Sequence, residues 1–234
     1  MSWVIAIAGQ KGGTGKSTVA QGLAVEAARR GTLAILADMD IAQQSSAQWG
    51  ELRRAAGLQP KIDVRLLRAV SGIAPLRRLC DLLVIDTPGR AGSDTVSVAK
   101  ASDLLLLTTD TNVLELSPTV MLVHSLITAG IANERLAIAL TKVLDDVREV
   151  EARAYLKAAG YEALPVPLRF SKLAHDVGNR GLAVTEAPDK AVAKQASHFF
   201  EGIDAAMRRA RERITEMQNS REREQGKERG ERER

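Results

Sequence analysis

Three groups of residues combine types and spacing that could do chemistry, and each stands where an apolar run ends. The first is Gly9-Gln10-Lys11-Gly12-Gly13-Thr14-Gly15-Lys16-Ser17-Thr18, which follows the run Trp3–Ala8 and precedes a helical pattern starting near Lys16. Gly12, Gly13 and Gly15 let the backbone wrap closely around a polyphosphate. The helix N-terminus behind them offers unpaired N–H donors, and Lys16 brings a cation to the terminal phosphates. Ser17 is placed to ligate Mg²⁺, and Thr18 to touch an inner phosphate. The loop departs from the common phosphate-binding pattern, because Gln10 stands where that pattern has its first glycine.

The second group is Ala37-Asp38-Met39-Asp40, after the run Leu33–Ala37. Alternation along an extended chain puts Asp38 and Asp40 on one side, where an acid can orient an attacking water or hold the water shell of a metal. Acids after a strand also serve as turn residues and helix caps, and that reading stays open for both. The third group is Asp86-Thr87-Pro88-Gly89, after Leu82–Ile85. An acid here holds Mg²⁺ through water, while the Gly89 amide in a flexible turn senses a terminal phosphate.

The elements that position these groups follow from the apolar runs. Trp3–Ala8, Leu33–Ala37, Leu82–Ile85, Leu104–Thr108 and Leu136–Leu140 read as buried parallel strands, with segments of helical length between them. That order predicts an α/β fold, a doubly wound and mostly parallel sheet flanked by helices, with its ligand site at the carboxyl ends of the strands. Pro165 and Pro167 punctuate the chain after the last run. A long helix with basic residues on its exposed side is expected from Lys190 to about Met217. Residues 1–217 read as one domain. Residues 218–234 lack any apolar side chain and read as a charged tail, disordered or a frayed helix.

Composition narrows the class. Aromatic residues make up only 3% of the 234, so the core must be built from Ala, Leu, Val and Ile. A lone Cys80 excludes an intramolecular disulfide and a CxxC metal or cluster site. With no stretch of about 18 apolar residues and no basic leader, a cytoplasmic protein is expected. The formal charge of +4 suits a partner carrying phosphates.

With Lys11 followed by Gly12-Gly13, the loop resembles the deviant Walker A motif KGGxGK[ST] of the ParA and MinD group of P-loop ATPases. The resemblance covers roughly residues 3 to 210, in a small form without an N-terminal helix-turn-helix. It implies ATP and Mg²⁺ as ligands and an ATP-dependent homodimer in which Lys11 reaches across to the partner's phosphates. It also implies slow hydrolysis carried by Lys11, Lys16 and Asp40, with Asp40 positioning the water and helping to hold the metal through water. Departures are present. Ile41-Ala42-Gln43-Gln44 replaces the family's Pro-Gln, and Thr141 replaces an asparagine expected near the base. Pro165-Val166-Pro167 falls where the family's base-contacting loop lies, and equally reads as a rigid turn.

Within that group, partition members bind DNA without sequence preference, MinD-like members bind membranes, and others hold iron–sulfur centres through cysteines. Cys80 standing alone excludes the last, and a terminal segment without an apolar face argues against a membrane. A nucleoid-associated ATPase is therefore expected, touching DNA through Arg169, Lys172, Arg180, Lys190, Lys194, Arg208 and Arg209. Its partner would be a ParB-like or cargo-adaptor protein that stimulates hydrolysis. The alternative is a nucleotide-switched regulator that binds another protein, its basic residues forming only solvated helix faces.

Overall fold

The computed structural model describes the backbone of residues 2–89 and 94–232, and the side chains of residues 2–89, 94–173 and 176–216. Strands and helices alternate along it: β1 (Trp3–Ala8), α1 (Lys16–Arg29), β2 (Ala34–Asp38), α2 (Ser45–Ala55), β3 (Asp63–Leu66), α3 (Ile73–Arg77), β4 (Leu82–Asp86), α4 (Asp94–Ala101) and β5 (Leu104–Thr109) come first. Then follow α5 (Val113–Thr128), β6 (Leu136–Val143), α6 (Asp146–Ala158), β7 (Leu168–Arg169), α7 (Lys172–Gly178) and α8 (Lys190–Arg232). The sheet order is β3-β2-β4-β1-β5-β6-β7, and every pairing is parallel.

The five expected strands are present within a residue or so, except that β6 runs on to Val143. Sequence reading missed the two edge strands. β3 is Asp-Val-Arg-Leu and mostly exposed, and β7 has two residues, so neither offers an apolar run to detect. The expected tail from Gln218 falls within the last turns of α8, and its side chains lie outside the described residues.

Strand alternation divides the core into two layers. Ile5 and Ile7 of β1 face a cluster with Val19 and Leu23 of α1 and with Phe199, Phe200 and Ile203 of α8. Val4, Ala6 and Ala8 face the other cluster, with Val98 of α4, Leu116 and Val123 of α5, and Leu156 of α6. Small side chains let the layers close. A Cβ on Gly22 would lie 2.2 Å from Phe200 Cζ, so only glycine there lets α8 pack against α1 with the ring between them.

Because all strands run the same way, their carboxyl ends gather Ala8, Asp38, Asp86, Thr109 and Val143 at one edge. The chain winds through β2, β3 and back to β4 on one side of β1, and crosses to β5 and β6 on the other. β1 thus sits at the crevice where such folds bind ligands.

One ion pair fastens the far end of α2. Arg53 is 2% exposed and donates to Glu186 through Nη1 at 2.6 Å and Nη2 at 3.1 Å. It also donates to the Gly181 and Pro60 carbonyls, and its guanidinium lies 5.4 Å from the Trp49 ring centroid. Replacing Arg53 by Ala leaves the Glu186 carboxylate to Arg29, at 3.3 Å, and the Ala183 amide, so Arg53→Ala is expected to lower unfolding free energy by about 1.5–3 kcal/mol. Urea denaturation checks it, and a loss below about 1 kcal/mol would show that the clamp contributes little.

Candidate functional site

The loop between β1 and α1 is held by close contacts that few other residues would allow. A Cβ on Gly9 would stand 2.7 Å from Thr14 Oγ1 and 3.1 Å from the Thr108 carbonyl oxygen. Gly13 and Gly15 adopt φ of +82° and +79°, and Gly15 caps α1 in that conformation. Behind the loop, Thr14 Oγ1 lies 3.0 Å from Thr108 Oγ1, while Thr141 Oγ1 donates to the Thr14 carbonyl at 2.8 Å and to that of Thr109. The ends of β5 and β6 therefore brace the glycine cradle from one side. Gly12 lies exposed at its rim, and Ser17 and Thr18 follow Lys16 in the first turn of α1, both half-buried.

Lys16 is buried, and its ammonium donates to the carbonyls of Lys11 at 3.2 Å and Gly89 at 3.4 Å. Burial pulls its pKa below the ordinary lysine value, while Asp86 and Asp40 push it back up. A Cβ on Gly89 would lie 3.7 Å from Gly12 Cα, so the turn after β4 rests against the glycine loop.

The three carboxylates at this edge differ in what they can do. Asp38 is fully buried. Its Oδ1 accepts from the Asp40 amide and its Oδ2 from the Ser46 and Ala47 amides, each at 2.9 Å. It caps the first turn of α2, so alternation does not bring it to the ligand side with Asp40. Asp40 is half-buried, and its Oδ1 accepts from the Gln43 amide at 3.0 Å. That bond closes the turn Ile41-Ala42-Gln43-Gln44 upon it, with Gln44 at φ +51°.

Asp86 is 1% exposed. Its Oδ2 accepts from Ser46 Oγ at 2.7 Å, and its Oδ1 has no hydrogen-bond partner. Desolvation raises its pKa to about 6, against smaller lowering effects from the Ser46 and Ser17 hydroxyls and from Lys16. An unpartnered carboxylate oxygen, buried beside Ser17 and Lys16, is what a hydrated Mg²⁺ would satisfy. The donor set of one hydroxyl and one carboxylate suits a metal that keeps several waters and binds phosphate oxygens.

Lys11, on the same loop, points away from this crevice. Its Nζ donates to Glu115 Oε1 at 2.9 Å and to the Leu114 carbonyl at 3.0 Å, at the start of α5. Glu115, Ser46 and Thr108 are site residues that sequence reasoning missed. Ser46 works through both its amide and its hydroxyl, joining two acids from different strands, and no local motif announces such a link.

The expected base contacts separate. Thr141 is buried against the loop, and Pro167 is buried just before the pairing of Leu168 with Thr141. Pro165 stops short of this edge. It lies between Ala163, opposite Ile138, and Leu168, opposite Thr141, and lines a groove with Leu104, Leu136 and Ile138. The DNA candidates also divide. Arg169 is tied to Asp146 and Glu149, and Arg209 lines that same groove. Lys172, Arg180, Lys190, Lys194 and Arg208 are exposed, with Arg208 about 20 Å along α8 from Lys194.

A model of the CobQ/CobB/MinD/ParA nucleotide binding domain matches residues 5–224. Over 187 residues the chain is 28% identical to maintenance of carboxysome distribution protein A from Gloeobacter kilaueensis, a match that covers 78% of this chain and 84% of that protein. The fold is similar to the cell division ATPase MinD of Pyrococcus furiosus, with TM-score 0.71, 20% identity, and coverage of 88% of this chain and 99% of that one. It is similar too to the septum site-determining protein MinD from Pyrococcus horikoshii complexed with Mg-ADP. There the TM-score is 0.68 at 18% identity, over 86% of this chain and 94% of that one.

The raised pKa of Asp86 gives a signed test. The folded state holds this proton more tightly than the unfolded chain does, so stability falls as pH rises from about 4 to about 6 and stays reduced above that. Asp86→Asn is expected to melt above the wild type at about pH 7.5 and to lose that advantage by about pH 4, as thermal unfolding at the two values would show. Melting temperatures that differ equally at both would mean that the carboxylate is not held up by burial.

Proposed function

Because the chain belongs to the CobQ/CobB/MinD/ParA nucleotide binding domain family, we propose that it is an ATP hydrolase of the ParA kind, which dimerises on ATP, binds DNA without sequence preference and positions a cargo. The observation that carries this reading is the crevice itself. A buried lysine, a hydroxyl and a carboxylate with a free oxygen converge beside a glycine loop that carries a second lysine.

In this mechanism the loop amides and Lys16 grip the phosphates, and Ser17 with Asp86, through water, holds Mg²⁺. The metal neutralises charge on the phosphate oxygens when bound. The Gly89 amide senses the γ-phosphate. Asp40, its carboxylate fixed by the Gln43 amide, orients the water that attacks the γ-phosphorus as the bond to the bridging oxygen breaks. Lys16 offsets the charge that develops on the departing side. Lys11 enters when it exchanges the carboxylate of Glu115 for the phosphates of a second copy, which makes dimerisation depend on ATP.

The carboxysome-distribution relative supports cargo positioning as the use of this cycle, with a plasmid, a chromosome region or a protein assembly as cargo. A ParB-like or adaptor protein stimulates hydrolysis and so releases the dimer from the nucleoid. Lys172, Arg180, Lys190, Lys194 and Arg208 remain the cations for phosphate contact in the cytoplasm, while the carboxylates around Arg169 occupy its charge. No described helix is long and apolar enough to cross a membrane, and no membrane enters this reading. The pairing of Arg169 and the scatter of Lys190, Lys194 and Arg208 along α8 favour one second reading, a nucleotide-switched regulator that binds a protein and not DNA.

Three variants and one binding assay test the proposal. Lys16→Ala is expected to abolish ATP binding in calorimetry. Lys11→Ala is expected to retain binding but remain monomeric with ATP in light scattering, and an ATP-dependent dimer surviving that change would remove the sandwich. Asp40→Ala should cut turnover by about 100-fold or more and so trap the dimer. Random duplex DNA should be bound only with ATP and less as salt rises, and indifference to nucleotide selects the regulator.

A further inference from the structure

β3 ends the sheet, and among the described residues nothing pairs with its outer edge. The Leu67 amide donates to the Asp38 carbonyl at 2.8 Å, so Leu67 and, by alternation, Arg65 and Asp63 turn their main-chain groups toward β2. Ile62, Val64 and Leu66 turn theirs outward. Edge strands are commonly guarded from further pairing by a proline or a bulge, and neither interrupts Ile62–Leu66.

The same alternation sorts the side chains. Val64 packs on α2, where a Cβ on Gly50 would lie 2.7 Å from its Cγ2. Ile62 and Leu66 share that face and, with Ala47 and Leu58, line a groove of about 630 Å³ between α2 and β3. Leu66 is 41% exposed. Asp63 and Arg65 stand on the opposite face, both exposed, and Arg65 donates to Asp63 through Nε at 3.1 Å and Nη2 at 2.7 Å.

Turned end for end about Val64, Ile62-Asp63-Val64-Arg65-Leu66 complements itself. Val64 falls opposite Val64 of a second copy, Ile62 opposite Leu66, and Asp63 opposite Arg65. The outward groups of Ile62, Val64 and Leu66 then exchange main-chain hydrogen bonds with their counterparts. Asp63 and Arg65 take the positions between those bonded pairs, where facing Cα atoms approach to about 4.5 Å and opposite charges stabilise the pairing. Sliding to the next register that keeps the outward groups paired sets Arg65 against Arg65, or Asp63 against Asp63, which disfavours it.

We infer that the outer edge of β3 is a contact surface for a second copy of this chain, paired antiparallel about Val64 across a two-fold axis so that the two sheets become continuous. The apolar faces of the two strands then lie side by side beneath the two α2 helices. This edge flanks the sheet at the side of β2, whereas Lys11 and the crevice stand at the carboxyl ends beside β1. The contact therefore needs no nucleotide and leaves both crevices open.

Sedimentation of the full chain without nucleotide, from about 1 μM to about 1 mM, tests it apart from any ATP-dependent dimer. The wild type is expected to pass from monomer to dimer over that range. Arg65→Asp alone and Asp63→Arg alone each set like charges opposite one another and should weaken the dimer by about 10-fold or more. Both side chains are exposed, so each variant should melt with the wild type, which thermal unfolding checks. Mixed in equal amounts, the two variants should associate as the wild type does, because the acids of one then face the arginines of the other. A wild type that stays monomeric overturns the inference. So does a dimer that both variants keep, which would place self-association on another surface, or a mixture no more dimeric than its parts.

Discussion

Desolvated charge at the carboxyl edge of a parallel sheet is the constraint on which the rest of this structure depends. Lys16 and Asp86 are both buried there, and burial pushes each toward its neutral form, one pKa down and the other up to about 6. Neither cost would persist in a surface that only had to be soluble. A polyphosphate and a hydrated divalent ion would supply what is missing, an anion for the lysine and a cation for the free oxygen of Asp86. The fold is arranged to keep that edge tense. Thr108 and Thr141 brace the loop from one side, while Ser46 and Asp38 lock α2 to β4 and β2 on the other.

That arrangement explains why two lysines separated by a short stretch of glycines behave differently. Lys16 opens α1 and is drawn into the crevice, whereas Lys11 leans outward to Glu115 at the first turn of α5. A half-buried ion pair of this kind contributes on the order of 1 kcal/mol, so a polyanion presented by another copy would suffice to displace it. On the proposed reading, one chain supplies the whole phosphate grip, while the second lysine stays available for exchange. The surface cations show no comparable organisation. Arg169 is neutralised by two acids, and the α8 residues are spread along a helix that also packs Phe199 and Phe200 into the core.

Much of this was legible in the sequence because the physics is local there. The strand runs, the glycine loop, and Asp86 after Leu82–Ile85 are set by contiguous residues, and the structure brings them to one edge. Asp38 could not be assigned that way. Its alternation with Asp40 suggested a shared side, but three amides, two of them from the start of α2, bury its carboxylate as a cap. Ser46 and Glu115 were invisible because each joins the site through a contact made far along the chain. Pro165 is expected by analogy with a loop, yet it lies part-way along β6, between Ala163 opposite Ile138 and Leu168 opposite Thr141, short of the carboxyl edge. The edge strands β3 and β7 escaped because polar or two-residue strands leave no hydrophobic period to read.

The most direct test is a crystal structure of the chain grown with a non-hydrolysable ATP analogue and Mg²⁺. The γ-phosphate is expected beside Lys16, Asp86 Oδ1 bonded to a water of the metal, and Lys11 released from Glu115 toward a second copy. A crevice left empty at saturating nucleotide, or filled while Oδ1 stays unpartnered and Lys11 remains on Glu115, would contradict that expectation.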